Sequence, residues 1–204
     1  MTKCARSWEE TINKKNKKVR VKCVNHHTSG MWISHNFDRL KTPIVNILEN
    51  ASPSNNFVAL DIDSTVLRRE GNNVEPEPTG MFVRNVALHN NLSVVYITAR
   101  EESPMARQVT LDDLAHVGIT DPLIVVLRPK RVQTWEGISL YKANARAYVE
   151  SQTNSRCVMN VGDQWTDLMP VNNAVWQGLR RTFDDDQYLL FSKEDERWSV
   201  KLKE

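Results

Sequence analysis

Cysteine is scarce in this 204-residue chain, which contains only Cys4, Cys23 and Cys157. The three lie far apart and form no CxxC pair, so neither a disulfide framework nor a zinc cluster is expected. The neighbouring histidines His26 and His27 have no second pair at ligand spacing, which argues against a zinc site there too. We therefore expect reduced thiols, as in a cytosol-like compartment.

Long hydrophobic runs are missing as well. No run approaches the roughly 20 apolar residues that cross a bilayer. The first 18 residues lack the apolar core of a secretory signal. The length suits one domain with a proper core and an appendage. We expect a cytoplasmic protein that has no membrane contact.

Charge of one sign is concentrated at the N-terminus, although the whole chain carries a formal charge of only +2. Residues 1–22 contain eight Lys and Arg against two Glu, so this segment has a net charge of +6 and the remainder −4. The basic arm (residues 3–22) can attract nucleic acid, an anionic surface or a nuclear import receptor. No aromatic residue interleaves its lysines, as a single-strand stacking platform requires. A solvated terminus is therefore the alternative interpretation.

Residues 1–56 are interpreted as a basic N-terminal extension that is partly docked on the core. Its apolar stretch 31–50 supplies the docking surface, with a helix after Pro43. The polar segment 51–56 connects it to the main domain, residues 57–204.

Strand-like and helix-like patterns alternate along the main domain. Strands are predicted at 57–63, 92–99, 123–128, 157–163, 188–191 and 198–202, and helices at 81–90, 103–118, 139–151 and around 167–176. Ser103, Pro104 and Gly118 are the start and stop signals of the second helix. Buried strands separated by helices indicate an α/β fold, in which a parallel sheet has helices on both faces.

Polar residues gather at the predicted strand ends, where ligands bind in such a sheet. They are Asp61, Asp63, Thr98, Arg100, Arg128, Lys130, Asp163 and Asp167, with Lys142 and Arg146 on the helix after the third strand. Carboxylates gathered in one crevice cannot all stay ionised without a cation. Hard oxygen ligands of this kind suit Mg²⁺, completed by water and a substrate phosphate.

The stretch FVALDID places two carboxylates, Asp61 and Asp63, at the end of one buried strand. Strand alternation alone points both to the same side. One of them can then attack a phosphorus atom while its neighbour transfers a proton to the leaving oxygen. A metal ion and a lysine would offset the charge of the phosphoryl group.

DIDST resembles the DxDx[TV] nucleophile motif of the haloacid dehalogenase-like (HAD) phosphohydrolase superfamily. Thr98, Lys142 and GDQWTD resemble the second, third and fourth motifs. RQVTLDDLAHVG, YKANAR and NVGDQWTDL are similar to blocks of the subfamily III acid phosphatases, a branch that includes plant acid phosphatases, vegetative storage proteins and bacterial lipoprotein-type nucleotidases. The resemblance covers about residues 57–170 and implies a Rossmann-like core.

The resemblance implies a Mg²⁺ site held by three aspartates. Asp61 would be the nucleophile and a metal ligand, and Asp63 would be the general acid/base and bind Mg²⁺ through its backbone carbonyl. Asp163 would be the remaining protein ligand. Asp167 would support the metal waters or Lys142, and Thr65 would stabilise the loop after the strand.

The resemblance also implies residues that hold the phosphate. Thr98 would hydrogen-bond the phosphoryl oxygens, and Lys142 would neutralise the phosphoaspartate and orient Asp61. Lys130, just past a strand, is the alternative for the motif lysine. Arg100 and Arg68 are further candidate phosphate or substrate contacts, although a structural salt bridge explains Arg100 equally well.

The spacing of the motifs leaves no room for a full cap domain. Only 36 residues separate Asp61 from Thr98, and 43 separate Thr98 from Lys142. The segment 67–80 is short enough to be a flap. We expect an open site that accepts varied phosphate esters. Three tryptophans are interpreted as core residues rather than as entrance residues: Trp135, Trp165 and Trp176.

The leading hypothesis is a Mg²⁺-dependent phosphomonoesterase that uses a phospho-Asp61 intermediate on a nucleotide or other small phosphate ester. A second hypothesis keeps the chemistry but directs it, through the basic arm, to nucleic-acid ends or to a phosphoprotein. A third is a weakly active or inactive binding or storage protein with the same fold. The intact pair of Asp61 and Asp63 argues against the third. The sequence leaves the oligomeric state open.

Overall fold

The computed structural model describes residues 30–71, 73–120, 124–192 and 197–203. The basic arm (residues 3–22), the two adjacent histidines and two of the cysteines lie outside these residues. The predictions made for them, including nucleic-acid binding, stay predictions. Within the described ranges, no helix is both long enough and apolar enough to cross a membrane.

The described part of the chain forms a seven-stranded sheet and a separate two-stranded hairpin. The strands are β1 (Met31–Ser34), β2 (Asn56–Leu60), β3 (Leu67–Glu70), β4 (Asn73–Pro76), β5 (Ser93–Glu101), β6 (Ile124–Arg128), β7 (Arg156–Gly162), β8 (Tyr188–Ser192) and β9 (Trp198–Lys201). The helices are α1 (Asp38–Glu49), α2 (Pro78–His89), α3 (Pro104–His116), α4 (Trp135–Thr153), α5 (Trp165–Leu168) and α6 (Asn173–Thr182).

The sheet is mostly parallel, as predicted. Its strand order is β1-β8-β9-β7-β2-β5-β6. The five strands from β9 to β6 run parallel, whereas β8 pairs antiparallel with β9, and β1 pairs antiparallel with β8. Because β1 lies at residues 31–34, a part of the predicted extension is an edge strand of the sheet. The predicted flap is the hairpin of β3 and β4.

Alternating side chains of the central strands form two apolar layers. Val58 and Leu60 of β2 pack in one layer with residues of α1, α2 and α3. Phe57 and Ala59 of the same strand pack in the other layer with residues of α4. Because successive strand residues point to opposite faces, helices cover the sheet on both sides.

Several predicted boundaries differ from the structure. The first strand ends at Leu60, so the aspartates lie in the loop after it, and β5 runs on through Thr98 to Glu101. Two helices, α5 and α6, replace the single helix predicted near 167–176. Helix α1 begins at Asp38 and contains Pro43. Proline removes one helical hydrogen bond, but the apolar stripe of α1 is buried on both sides of it and stabilises the helix there.

The predicted limits of α3 are nearly those observed. Ser103 is the N-cap, and its hydroxyl accepts a hydrogen bond of 3.0 Å from the backbone N–H of Ala106. Pro104 is the first helical residue. Gly118 follows the helix with φ +80°, a left-handed conformation that glycine adopts without strain.

Candidate active site

Two neighbouring parallel strands, β2 and β7, bring distant aspartates together. Asp61 follows β2, and its backbone N–H donates to the carbonyl of Val161 on β7 at 2.9 Å. Asp163 follows β7 directly. One carboxylate oxygen each from Asp61, Asp163 and Asp167 lies within 4.8 Å of the others, and all three residues are buried. The structure therefore brings together carboxylates that are about 100 residues apart in the sequence.

Lys142 reaches this cluster from α4. It is buried, and its Nζ donates to the carboxylates of Asp61 and Asp167. Burial by itself would lower the pKa of Lys142, but the charges of Asp167 and Asp61 outweigh that effect and raise it. Lys130 is exposed in the turn after β6. Of the two candidate motif lysines, Lys142 is the one that contacts Asp61.

The buried cluster contains more carboxyl groups than ammonium groups, because among the described lysines Lys142 alone contacts its three aspartates. Burial is the main cause that raises the pKa of Asp61 well above its usual value, and the charge of Lys142 opposes it. Burial and then the charge of Asp167 raise the pKa of Asp163 to about 6. The three carboxylates and one ammonium have a formal charge of −2. A divalent cation cancels that charge, and carboxylate oxygens are its preferred ligands.

Hydrogen bonds fix both the carboxylate and the backbone carbonyl of Asp167. Its Oδ1 accepts from Lys142, and its Oδ2 accepts from the backbone N–H of Gln164 at 2.9 Å. Its backbone carbonyl accepts from Nη1 of Arg146 at 2.6 Å and from Nδ2 of Asn160 at 3.2 Å. Sequence analysis gave no such role to Arg146 or Asn160. The spacing of Lys142 and Arg146, one turn apart on α4, was the available signal.

Gly162 allows this arrangement, because a Cβ there would lie 2.3 Å from both Cβ and Oδ2 of Asp167. The side chain of Asp167 therefore packs directly on the backbone of β7. This contact explains why the motif GDQWTD begins with glycine.

Asp63 has different surroundings from Asp61. Its carboxylate accepts two hydrogen bonds from Arg100, from Nε at 2.8 Å and from Nη2 at 2.6 Å, and 45% of its side chain is exposed. Ser64 follows with φ +57°, which turns the chain sharply after Asp63. Thr98 is buried, and its hydroxyl accepts from the backbone N–H of Arg100 at 3.2 Å. Thr65 is buried, and its Oγ1 has no hydrogen-bond partner among the described residues.

An open cavity of about 530 Å³ lies above the cluster. The predicted site residues in its wall are Asp61, Asp63, Thr98, Lys142, Asp163 and Asp167. Arg68 lies elsewhere: it is exposed, forms an ion pair with Glu75 at 2.6 Å, and lines a separate cavity of about 270 Å³.

Trp135 and Trp176 line the cavity. Their ring centroids are 5.5 Å apart, and both rings also pack against a small apolar cluster that contains Trp165. Trp165 itself is buried and packs on Phe183 and Phe191, as expected for a core residue. The prediction of core packing is therefore incomplete for Trp135 and Trp176, because each packs against the core and also lines the cavity. Trp176 belongs to helix α6, which follows the fourth motif.

Comparisons with known proteins identify the family of the chain. A family model described as HAD superfamily, subfamily IIIB (Acid phosphatase) matches residues 75–187, which is more than half of the chain. The match includes Thr98, Lys142, Asp163 and Asp167 and begins after Asp61. No curated protein is significantly similar to the chain.

Two similar solved structures are class C acid phosphatases from Bacillus anthracis. The first has 16% sequence identity and a TM-score of 0.52, and the alignment covers 72% of each chain. The second, with tungstate bound, has 17% identity and a TM-score of 0.52, and covers 72% of this chain and 69% of that one. At this identity the likeness shows the fold alone. HAD phosphatases generally use a divalent metal ion. Through its family match, the chain belongs to the subfamily IIIB acid phosphatases of the HAD superfamily and is a phosphoric monoester hydrolase.

Proposed function

We propose that the protein is a Mg²⁺-dependent phosphomonoesterase that works through a phospho-Asp61 intermediate on a small phosphate ester. One observation carries the proposal: the buried carboxylate of Asp61 contacts Lys142 and has an oxygen within 4.8 Å of one from Asp163, at the floor of an open cavity. A nucleophile, a fixed positive charge and a second metal-binding carboxylate therefore meet at one point.

In the first step, an oxygen of Asp61 attacks the phosphorus atom of the ester. The bond from phosphorus to the leaving oxygen breaks, and its electron pair goes to that oxygen. The leaving oxygen takes a proton from the carboxyl group of Asp63 and departs as the alcohol. The ammonium of Lys142, which already contacts Asp61, offsets the negative charge that collects on the phosphoryl oxygens.

In the second step, water attacks the phosphorus atom of the aspartyl phosphate. The carboxylate of Asp63 accepts a proton from that water. The bond from phosphorus to Asp61 breaks, its electron pair returns to the carboxylate, and inorganic phosphate leaves. Thr98 lines the cavity, and its hydroxyl would donate to a phosphoryl oxygen in both steps.

Asp61 and Asp163 would hold the metal ion, together with the backbone carbonyl of Asp63. Asp167 has both carboxylate oxygens committed to Lys142 and Gln164, so it fits a supporting role. A bound Mg²⁺ would neutralise charge on the transferring phosphoryl group and orient it towards Asp61.

The cavity wall favours substrates with a planar group. Trp135 and Trp176 present aromatic surface to the cavity, and the amide side chains of Asn173 and Gln177 line it from the same helix as Trp176. Aromatic rings stack on planar groups, and amides can hydrogen-bond their edges. A nucleotide or an aryl phosphate fits this wall better than a phosphate ester of a small polar alcohol.

The variant Asp61→Asn tests the proposal, because the amide keeps the shape of the side chain and loses the nucleophile. We expect p-nitrophenyl phosphate turnover to require Mg²⁺ in the wild type and to fall at least about 1000-fold in the variant. Borohydride reduction of acid-quenched wild-type enzyme should convert residue 61 to homoserine, which mass spectrometry detects.

Asp38→Asn is the matched control, since Asp38 is an exposed residue of α1 that pairs with Lys41. It should keep full activity. Wild-type rates in Asp61→Asn, or homoserine at another aspartate, would refute the assignment.

A further inference from the structure

A chain of alternating charges connects the hairpin, helix α3 and Asp63. Oδ2 of Asp113, on α3, accepts from Nη1 of Arg100 at 2.8 Å and from Nη2 of Arg69, on β3, at 2.6 Å. The same Nη1 donates to the hydroxyl of Thr110 at 3.2 Å. Within the described residues, the other hydrogen bonds of the Arg100 guanidinium are the two that it donates to Asp63. Arg100 therefore has Asp63 on one edge and Asp113 on the other.

We propose that Asp113 is a positioning residue for Asp63, acting through Arg100. The inference rests on the proposed function, in which Asp63 moves the proton of the leaving group. Asp113 takes no part in bond making. It fixes the direction of the Arg100 guanidinium, and this guanidinium fixes the direction of the Asp63 carboxyl group in the cavity wall.

The four charged side chains in this series of ion pairs differ in burial. The side chains of Arg100 and Asp113 are each 15% exposed, whereas those of Asp63 and Arg69 are 45% and 49% exposed. Thr110 is fully buried and donates to the carbonyl of Ala106 within α3 at 2.7 Å. The anchor of Arg100 is thus the buried side of α3. The exposed carboxyl group of Asp63 has no comparable anchor of its own.

The bidentate contact makes orientation depend on the anchor. Guanidinium and carboxylate planes align when two parallel hydrogen bonds join them, and in the protonated acid the oxygen without the proton keeps its bond to the guanidinium. A rotation of Arg100 therefore carries Asp63 with it. Asp113 opposes that rotation, because it is the charged partner of the third nitrogen of the same rigid plane, which Thr110 contacts more weakly at 3.2 Å. A general acid that is about 1 Å out of place can lose about 100-fold in rate.

If Asp113 positions the general acid, the loss of rate in its variants should depend on the leaving group. A purely structural role of Asp113 predicts no such dependence. An alkoxide needs its proton as it leaves, whereas p-nitrophenolate is stable as an anion. We therefore compare 2-phenylethyl phosphate with p-nitrophenyl phosphate, since both present an aromatic ring to the tryptophans. The quantity measured is kcat/KM, which reports the steps up to alcohol release and excludes hydrolysis of the aspartyl phosphate.

In Asp113→Asn we expect kcat/KM for 2-phenylethyl phosphate to fall about 10- to 100-fold. For p-nitrophenyl phosphate it should fall less than about threefold. Inhibition by inorganic tungstate, used as an oxyanion probe, should stay unchanged and thereby show an intact site. Asp113→Glu should restore part of the loss, because it keeps the charge.

Two further variants separate a positioning role of Asp113 from a general effect on α3 or on the hairpin. Asp112→Asn makes the same change on the neighbouring exposed residue of α3, which accepts from Gln108, and should leave both substrates unaffected. Arg69→Gln removes the ion pair between the hairpin and Asp113 but leaves the hydrogen bond from Arg100 to Asp113. It should change kcat/KM little for either substrate. A loss in Arg69→Gln equal to that in Asp113→Asn would overturn the inference, because the hairpin would then be the cause.

Asp63→Asn provides the benchmark. It should show the same dependence on the leaving group, with a larger loss. If it does and Asp113→Asn does not, the inference fails and the proposed function stands. If Asp63→Asn itself treats the two substrates alike, the proton-transfer role of Asp63 fails, and the inference fails with it.

Discussion

Replacing Gly162 by alanine tests how tightly the backbone of β7 and the carboxylate cluster are joined. Gly162 is the last residue of β7 and precedes Asp163. The added methyl group would lie 2.3 Å from Cβ and Oδ2 of Asp167, whereas ordinary van der Waals contact begins at about 3.4 Å. Asp167 therefore has to move by about 1 Å or more.

The structure sets the size of the effect. Asp167 cannot move freely, because Lys142 holds one of its oxygens and the backbone N–H of Gln164 holds the other. A shift of about 1 Å breaks at least one of these bonds and releases Lys142 from its position on Asp61. Misplacement of that order costs about 100-fold in rate. Overpacking of a buried site lowers the free energy of unfolding by about 1–3 kcal/mol, so the protein should remain folded.

The assay is kcat for p-nitrophenyl phosphate at saturating Mg²⁺, with Tm measured on the same samples. Gly178→Ala is the matched control, since nothing lies within 4 Å of the added methyl group on the exposed helix α6. We expect the control to keep its rate and to gain up to about 1 kcal/mol of stability. A Gly162→Ala enzyme within about threefold of the wild-type rate would show that the cluster tolerates the shift, contrary to our reasoning.

Two other measurements test the cavity wall and the core. Trp176→Ala removes stacking surface worth about 1–3 kcal/mol, so KM for a nucleoside monophosphate should rise about 5- to 150-fold, while KM for a small alkyl phosphate stays the same. Equal changes in the two KM values would show that Trp176 does not select between these substrates. Cys157 is completely buried, and burial raises the pKa of its thiol from 9.0 to about 11. The folded protein keeps this proton at a pH where the unfolded chain releases it, so stability is complete below pH 9 and falls between about pH 9 and 11. Urea titrations should show the wild type losing about 3 kcal/mol more than Cys157→Ala over that window, and parallel losses in the two proteins would contradict the assigned burial effect.

Short-range patterns in the sequence were enough to predict most elements of the fold. Apolar runs of strand length, Ser103 and Pro104 before a helix and Gly118 after it are local signals, and the structure has a strand or helix at each of them. Their boundaries were less predictable. Helix α1 runs through Pro43 because its buried stripe outweighs the missing hydrogen bond, and only the packed core reveals that stripe as buried.

The clustering of the aspartates was also predictable from the sequence, because carboxyl ends of adjacent parallel strands meet at one edge of a sheet. The partners of those aspartates were not. Lys130 and Lys142 both follow the third strand, and it is the path of α4 over the sheet that brings Lys142 to Asp61. Likewise, the sequence left open whether Arg100 contacts a phosphate or forms a salt bridge, and the structure pairs it with Asp63 and Asp113.

By itself, then, the sequence determined which residues follow each strand, and with them the chemistry available at one edge of the sheet, since those relations lie within a few residues of chain. Tertiary structure alone decided which side chain faces which. Trp135 and Trp176 are 41 positions apart yet touch in the cavity wall, and residues 31–34 complete the sheet from its far edge. Such contacts depend on how helices pack on the sheet, and no local pattern records that packing.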